Sequence, residues 1–338
     1  MARKRIIFVG GGGIGERHVR CFLTTGDVEA SVCDTEAAVL DELSERYQIA
    51  ETFAAFEEVP LDEYDAAVIA VPAHLHVQMA LRCADAGLPF LLEKPLSTSM
   101  DGVDELVAAV EEQDLYATVG FVRRSDTSVQ ELRRLALGGV CGELKMGRFH
   151  SGQEYPRYRP DYRDIYYARP ETGGGCIMDA FTHSLNLAQW IFGDVVQVVA
   201  LYDRLALTGV EVEDSSLIAA RFSHNDALVH FFTNQFQKPN VFEVELIGTE
   251  ANLRYFWDPD DFVLTRCDSD ENEWVELART RTTRDRPFIQ QAQDVLAGID
   301  GRAAPVTTIA EAAENLRVLL AAKRSMQEGR IISIAEDA

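Results

Sequence analysis

Short apolar runs alternate with stretches of helical periodicity from residue 5 to about residue 120. This rhythm restricts the possible folds more than any other property of the chain. Arg5 to Val9, Val28 to Cys33, Ala66 to Val71, Phe90 to Leu92 and Tyr116 to Phe121 read as strands. Such short, apolar-rich runs suit parallel strands covered on both faces. Between them Val39, Leu43 and Tyr47, and later Val103, Leu106, Val107 and Val110, recur at helical spacing. Two more helices are expected, from about Ile14 to Thr24 and from His76 to Ala86. Gly87 is placed to stop the second of these, and Thr98 or Ser99 to cap the helix near Val103. Strands and helices in alternation make a parallel, doubly wound sheet.

The character changes after about residue 121. Gly142 to Gly152, Val195 to Arg204, Ser215 to Ser223, Ala227 to Gln237, Phe242 to Ile247 and Asn252 to Trp257 read as successive strands. Short turns such as Ser223-His224-Asn225-Asp226 join several of them, which predicts a large, mainly antiparallel open sheet. Helices are expected near 180–192, 287–299 and 308–328, the last ending at Gly329. The class is therefore α/β. Two domains are expected, residues 1–121 and 122–338, in keeping with a length of 338.

The first strand runs directly into Gly10-Gly11-Gly12-Gly13-Ile14-Gly15. Gly10, Gly12 and Gly15 match the dinucleotide fingerprint: one for the tight turn, one for approach of a pyrophosphate, one for helix–strand packing. Gly13 and Ile14 open the helix whose free N–H groups would face the phosphates. Asp34 closes the next strand 19 residues past Gly15. A carboxylate there can bond both ribose hydroxyls and repels a 2′-phosphate, so NAD is expected over NADP.

Phe90-Leu91-Leu92-Glu93-Lys94-Pro95 reads as a buried strand that ends in a lysine, because Pro95 removes a backbone donor. Lys94 thus stands at the carboxyl end of a strand, the edge where open α/β sheets bind ligands. The chain has only five lysines, which sharpens the coincidence. A net charge of −23 argues against a nucleic-acid surface. There is no apolar run long enough to span a membrane, and the short basic start does not read as a signal peptide. The protein is expected to be cytoplasmic. Six cysteines are scattered without a Cys-x-x-Cys and read as buried, reduced thiols. His74 and His76 have no acidic or cysteine neighbours in sequence, so no metal is expected.

With these parts in place the chain resembles the glucose-fructose oxidoreductase / inositol dehydrogenase (Gfo/Idh/MocA) family over nearly its whole length. The resemblance is carried by the glycine loop with Glu16-Arg17-His18, and by Val71-Pro72-x-x-x-His76. It is carried further by Glu93-Lys94-Pro95, by Gly120-Phe121-x-Arg123-Arg124, and by Gly173-Gly174-Gly175-x-x-x-Asp179-x-x-x-His183. It implies an N-terminal Rossmann domain and a C-terminal domain that binds a sugar- or cyclitol-like substrate and joins subunits into dimers or tetramers. It also implies a catalytic Lys94, Asp179 and His183, and Arg123 reaching substrate. Val71, Pro72, His76, Glu93 and Lys94 are expected around the cofactor, with His76 near the nicotinamide ribose. Asn186 stands where some relatives carry an acid.

The residues themselves suit that chemistry. Asp179, His183 and Asn186 at i, i+4 and i+7 would share a helix face. His183 is suited to take the proton of a hydroxyl near neutral pH, with Asp179 orienting it or binding an adjacent hydroxyl. Lys94 can stabilise the developing alkoxide. Lys94, Arg123, Tyr162, Asp179, His183 and Asn186 are the expected substrate contacts. The Tyr- and Arg-rich stretch from Tyr155 to Arg169 reads equally as a substrate-facing loop or a subunit contact. Asn234, Gln235 and Gln237, late in a strand, read as substrate-facing or, more readily, as a solvated sheet face. The expected activity is NAD-dependent oxidation of a secondary hydroxyl of a sugar, sugar derivative or cyclitol. The alternatives are an enzyme that keeps and recycles its NAD, and a non-catalytic NAD(H) sensor.

Overall fold

The computed structural model describes residues 3–258, 260–270, 272–281 and 283–336. The chain forms two compact units, Met1–Asp126 with Arg284–Ala313, and Thr127–Thr283 with Glu314–Ala338.

The first unit opens with β1 (Lys4–Val9), α1 (Gly13–Thr24), β2 (Val28–Cys33), α2 (Ala37–Arg46) and β3 (Ile49–Phe53). It continues with β4 (Ala66–Ile69), α3 (His76–Asp85), β5 (Phe90–Leu92), α4 (Val103–Glu112) and β6 (Ala117–Val119). The strands form one parallel sheet in the order β3-β2-β1-β4-β5-β6. Ile6 and Phe8 of β1, Ala30 and Val32 of β2 and Val68 of β4 share a core with Val19 and Phe22 of α1. Phe8 and Phe22 meet edge to face at 5.4 Å. Each of the Ile, Val and Phe side chains among them stabilises the fold by roughly 1.5–3 kcal/mol on burial. β3 was not foreseen, because its middle three residues are all exposed and show no alternation. The expected cap of α4 is not used. Gly102, at φ +71°, is the N-cap residue, and the Ser99 hydroxyl donates to Asp101 instead.

The second unit begins with α5 (Thr127–Leu137), β7 (Leu144–Glu154) and the single turn α6 (Tyr155–Tyr158). A π-helical turn, Ile177–Phe181, runs into α7 (Thr182–Phe192). Then follow β8 (Val195–Asp203), β9 (Ser215–Phe222), β10 (Leu228–Asn234), β11 (Phe236–Gly248), β12 (Ala251–Asp258), β13 (Asp261–Asp268) and β14 (Val275–Arg281). The chain ends with α8 (Arg286–Ile299), α9 (Ile309–Glu328) and β15 (Ile332–Ser333). Nine strands lie in the order β14-β13-β12-β11-β7-β10-β9-β8-β15. All neighbours are antiparallel except β7 and β10. Phe231 of β10 packs on Phe149 of β7 and on Phe181 of the π turn, at 5.1 and 5.0 Å. The strand β14 was missed because its sequence, VELARTR, is polar and wholly exposed or half-buried.

A single division at 121/122 was expected. The compact units instead divide at Asp126, and residues 284–313 return to the first unit. The reason is physical: Ala292, Val295 and Leu296 of α8 lie in the core of the parallel sheet. Asn234 and Gln235, expected on a solvated face, are 5% and 0% exposed, and Gln153 Nε2 donates to Gln235 Oε1 at 2.7 Å. All six cysteines are free; Cys267 is half-buried and the others buried. Burial pushes the Cys33 and Cys141 thiols up to about 11 and Cys83 to about 12. Among the described residues no helix is long and apolar enough to cross a membrane.

Candidate active site

In the first unit the candidate residues stand together on the carboxyl edge of the sheet. Gly10 follows β1 at φ +93°, and a Cβ there would lie 2.5 Å from Ala70 O. A Cβ at Gly15 would lie 1.8 Å from Gly10 O, so only glycine lets α1 start this close to the strand. At Gly12 a Cβ would meet nothing within 4 Å. Internal packing therefore does not explain that glycine, and the space beside it is open to a ligand. No side chain caps the amino end of α1, which leaves the N–H groups of Gly13 and Ile14 oriented for a phosphate. Asp34 Oδ2 accepts the Gly11 N–H at 2.7 Å and its Oδ1 accepts the Glu36 N–H at 2.9 Å. The carboxylate is thereby locked beside the loop at the end of β2. This arrangement fits a dinucleotide.

Beyond β5, Glu93 is 5% exposed and bonds His18 Nε2 at 2.7 Å, a residue of α1 with no exposure at all. The other Glu93 oxygen accepts the Lys94 N–H at 3.0 Å. Burial pushes the Glu93 carboxyl up, but the His18 hydrogen bond and charge, with Lys94, hold it below its ordinary value. The next peptide, Lys94–Pro95, is cis. Lys94 is half-buried. His76 was expected near the cofactor ribose. Both its ring nitrogens lie 2.8 Å from backbone oxygens, Nδ1 from Pro95 O and Nε2 from Val71 O. The ring therefore ties the turn after β4, Val71-Pro72, to the turn after β5. Arg123 is half-buried in a 3₁₀ turn, Val122–Ser125, and not in a strand. Its neighbour Arg124 is structural, donating to Val306 O and to Glu311 at 2.8 Å.

In the second unit Asp179 lies in the π turn and His183 in the first turn of α7, both half-buried. Asn186 is only 2% exposed, so the expected common face is accessible at two of its three positions. Tyr162, expected at the substrate, belongs to the interior. It is 3% exposed, its hydroxyl donates to Thr208 O at 3.0 Å, and it shares a core with Tyr155, Tyr167, Leu207, Val210 and Val212. Tyr166 instead meets one of the expected site residues, donating its hydroxyl to Asp179 Oδ1 at 2.8 Å. Sequence reading missed it because an irregular segment has no period to say which tyrosine turns outward. It also missed His18, although that residue lies in a quoted motif. Among the described residues, no three His, Cys, Asp or Glu side chains are grouped to hold a metal.

Comparison with known proteins agrees with this architecture. Residues 4–121 match the model described as oxidoreductase family, NAD-binding Rossmann fold, and residues 129–254 match the GFO/IDH/MocA C-terminal domain. Inositol 2-dehydrogenase of Corynebacterium glutamicum (strain R) is 29% identical over 205 residues, 59% of this chain and 58% of that enzyme. The matched part of the chain thus spans little more than half of that relative. The rhizopine catabolism protein MocA of Rhizobium meliloti is 26% identical over 94% of this chain and 96% of its own. Myo-inositol 2-dehydrogenase from Lactobacillus plantarum superposes with a TM-score of 0.83 at 20% identity, covering 98% and 99% of the two chains. The glycine loop, the acid at the end of β2 and the second, open sheet are thus explained together: the chain belongs to the Gfo/Idh/MocA family of oxidoreductases and carries its NAD-binding Rossmann domain.

Proposed function

We propose that the protein oxidises a secondary hydroxyl of a sugar, sugar derivative or cyclitol, with NAD as the oxidant. One observation carries the reading. The ends of β1, β2 and β5 in one parallel sheet bear the glycine loop, Asp34 and Lys94, so a lysine stands on the edge that receives the dinucleotide. Bound NAD would supply the hydride acceptor. Gly10, Gly12, Gly13, Ile14 and Gly15 would hold the pyrophosphate, and Asp34 the adenosine ribose. Val71, Pro72 and Glu93 would line the cofactor as backbone and support.

On this reading Lys94 stabilises the alkoxide as it forms, and His183 takes the hydroxyl proton. Asp179 orients that histidine or accepts a neighbouring hydroxyl, and Arg123 contacts substrate. The relatives named for inositol oxidation support a polyol substrate. We propose further that the second unit assembles copies of the chain into a dimer or tetramer through its sheet.

The test is NADH formation by the purified protein with sugars, sugar acids, inositols and glycosides, beside fluorescence titration with NAD and NADP. Oxidation of at least one such alcohol, and tighter NAD than NADP binding, are expected. Asp34→Ala should narrow the preference. Tighter NADP binding would overturn the assignment of Asp34. Failure to form free NADH with every alcohol, despite tight NAD binding, would overturn the dehydrogenase reading in favour of a retained cofactor.

A further inference from the structure

The segment between α6 and the π turn is anchored at several points. Tyr155, Tyr162 and Tyr167 are buried in it, with Tyr155 and Tyr167 rings 4.3 Å apart. Glu211 N–H donates to Ala168 O at 2.8 Å, and Gly174 N–H to Arg169 O at 3.0 Å. The turn Tyr166–Ala168 is therefore fixed at its base. Within it Tyr167 is fully buried, whereas Tyr166 is 40% exposed.

The acceptor of the Tyr166 hydroxyl is equally fixed. Glu213 Oε1 accepts the N–H of Ile177, where the π turn begins, at 3.0 Å. Thr182, at the start of α7, donates its hydroxyl to Asn315 Oδ1 at 2.8 Å, and Asn315 also bonds Gln189 at 2.9 Å. A rigid phenol and a short carboxylate on two anchored stretches of backbone do not meet by chance rotation of long side chains. A π turn inside a helix is itself a frequent mark of a functional site.

We propose that Tyr166 is a positioning residue of the active site, holding Asp179 by one oxygen as an oriented, ionised acceptor. The proposal rests on the reading of Asp179 as a site residue. A hydroxyl that donates to a carboxylate favours its charged form and fixes its plane. Among the described residues, Tyr155 and Arg159 bear on the Tyr166 hydroxyl, Cys176 and Glu213 on the neighbouring Tyr167, and His183 stands four residues on from Asp179. The Asp179 carboxylate accepts from the Tyr166 hydroxyl and so favours the protonated phenol. The phenol therefore remains a donor throughout the working pH range.

The experiment is a pH titration of the protein carrying ¹³C-labelled aspartate carboxyls, with the Asp179 signal assigned by its loss in Asp179→Asn. In Tyr166→Phe, which keeps the ring, the Asp179 carboxyl should titrate about half to one pH unit higher than in the parent. An unmoved titration overturns the proposal. On any alcohol oxidised with NAD, the same variant should lower kcat on the order of tenfold and move the acidic limb of the rate profile by the same amount. NAD affinity should stay within about threefold of the parent's. A loss of NAD binding equal to the loss of rate would mean general disruption and would also overturn it. The carboxyl titration needs no turnover. A chain that oxidises nothing therefore tells against the functional reading, while the titration alone still decides the pairing.

Discussion

Lys94 is held by its backbone as well as by the end of its strand. Its N–H is bound to Glu93, and Glu93 in turn is bonded to a fully buried histidine. On the proposed reading, an ammonium at this position would stabilise a forming alkoxide more than it strengthens binding of the alcohol before it reacts. Lys94→Ala and His183→Ala are each expected to lower turnover on the order of a hundredfold or more. NAD affinity, titrated on the same variants, should change little. Near-normal turnover by His183→Ala across pH would remove it from proton transfer. Lys94→Arg should not restore the rate, because a planar guanidinium does not replace a point charge. The places of Lys94 and His183, after a short buried strand and along one helical stretch, were readable from motifs and spacing. Tyr162 and Tyr166 were not told apart, because three residues of irregular backbone separate a buried ring from an exposed one that meets Asp179.

At the scale of elements, His76 links two turns that come from neighbouring strands. Burial pushes its ring below the ordinary histidine value, against the Pro95 and Val71 carbonyls and the Glu93 charge, which favour the proton. The unfolded chain therefore takes up this proton at a higher pH than the folded one. Stability from this group is complete above about pH 6.5 and falls as pH drops toward the lower folded value, by at most about 1.4 kcal/mol per pH unit. Urea unfolding from pH 7.5 down to about 5 should show this slope in the parent and a smaller one in His76→Gln. An equal slope in both would assign the proton elsewhere. The doubly wound order was readable because each strand of the parallel sheet interior is a compact apolar run. The edge strand β3 and the polar β14 carry no such run, and they escaped.

For the whole molecule, the outer face of the nine-stranded sheet sets the expectation of assembly. Leu201, Leu217 and Phe232 lie side by side on β8, β9 and β10, at 62%, 54% and 40% exposure. His150 on β7 continues the row, its ring 4.8 Å from Phe232. Large side chains in adjacent register are unusual on a surface left to water. Light scattering at micromolar concentration should give a dimer or tetramer, and Leu217→Arg with Phe232→Glu should yield monomers. A monomeric parent would count against the assembly. The antiparallel character of this sheet was legible from its short turns. Its far edge was not: β14 is largely polar and exposed, and β13 was missed although it carries Phe262-Val263-Leu264.

The return of residues 284–313 to the first unit has a consequence for how the polypeptide is made. Thr118 and Val119 of β6 are bonded to Thr307, and Arg124 to Glu311, so the edge of the parallel sheet is finished by residues near the carboxyl terminus. On the ribosome that sheet must wait, incomplete, while residues 127–283 of the second unit are synthesised. A fragment ending at Asp126 lacks the three core residues of α8 and should be largely unfolded by circular dichroism or proteolysis. Joining residues 284–313 to it through a flexible linker should restore a cooperative transition. The unit begun first is thus completed only after most of the second has been made.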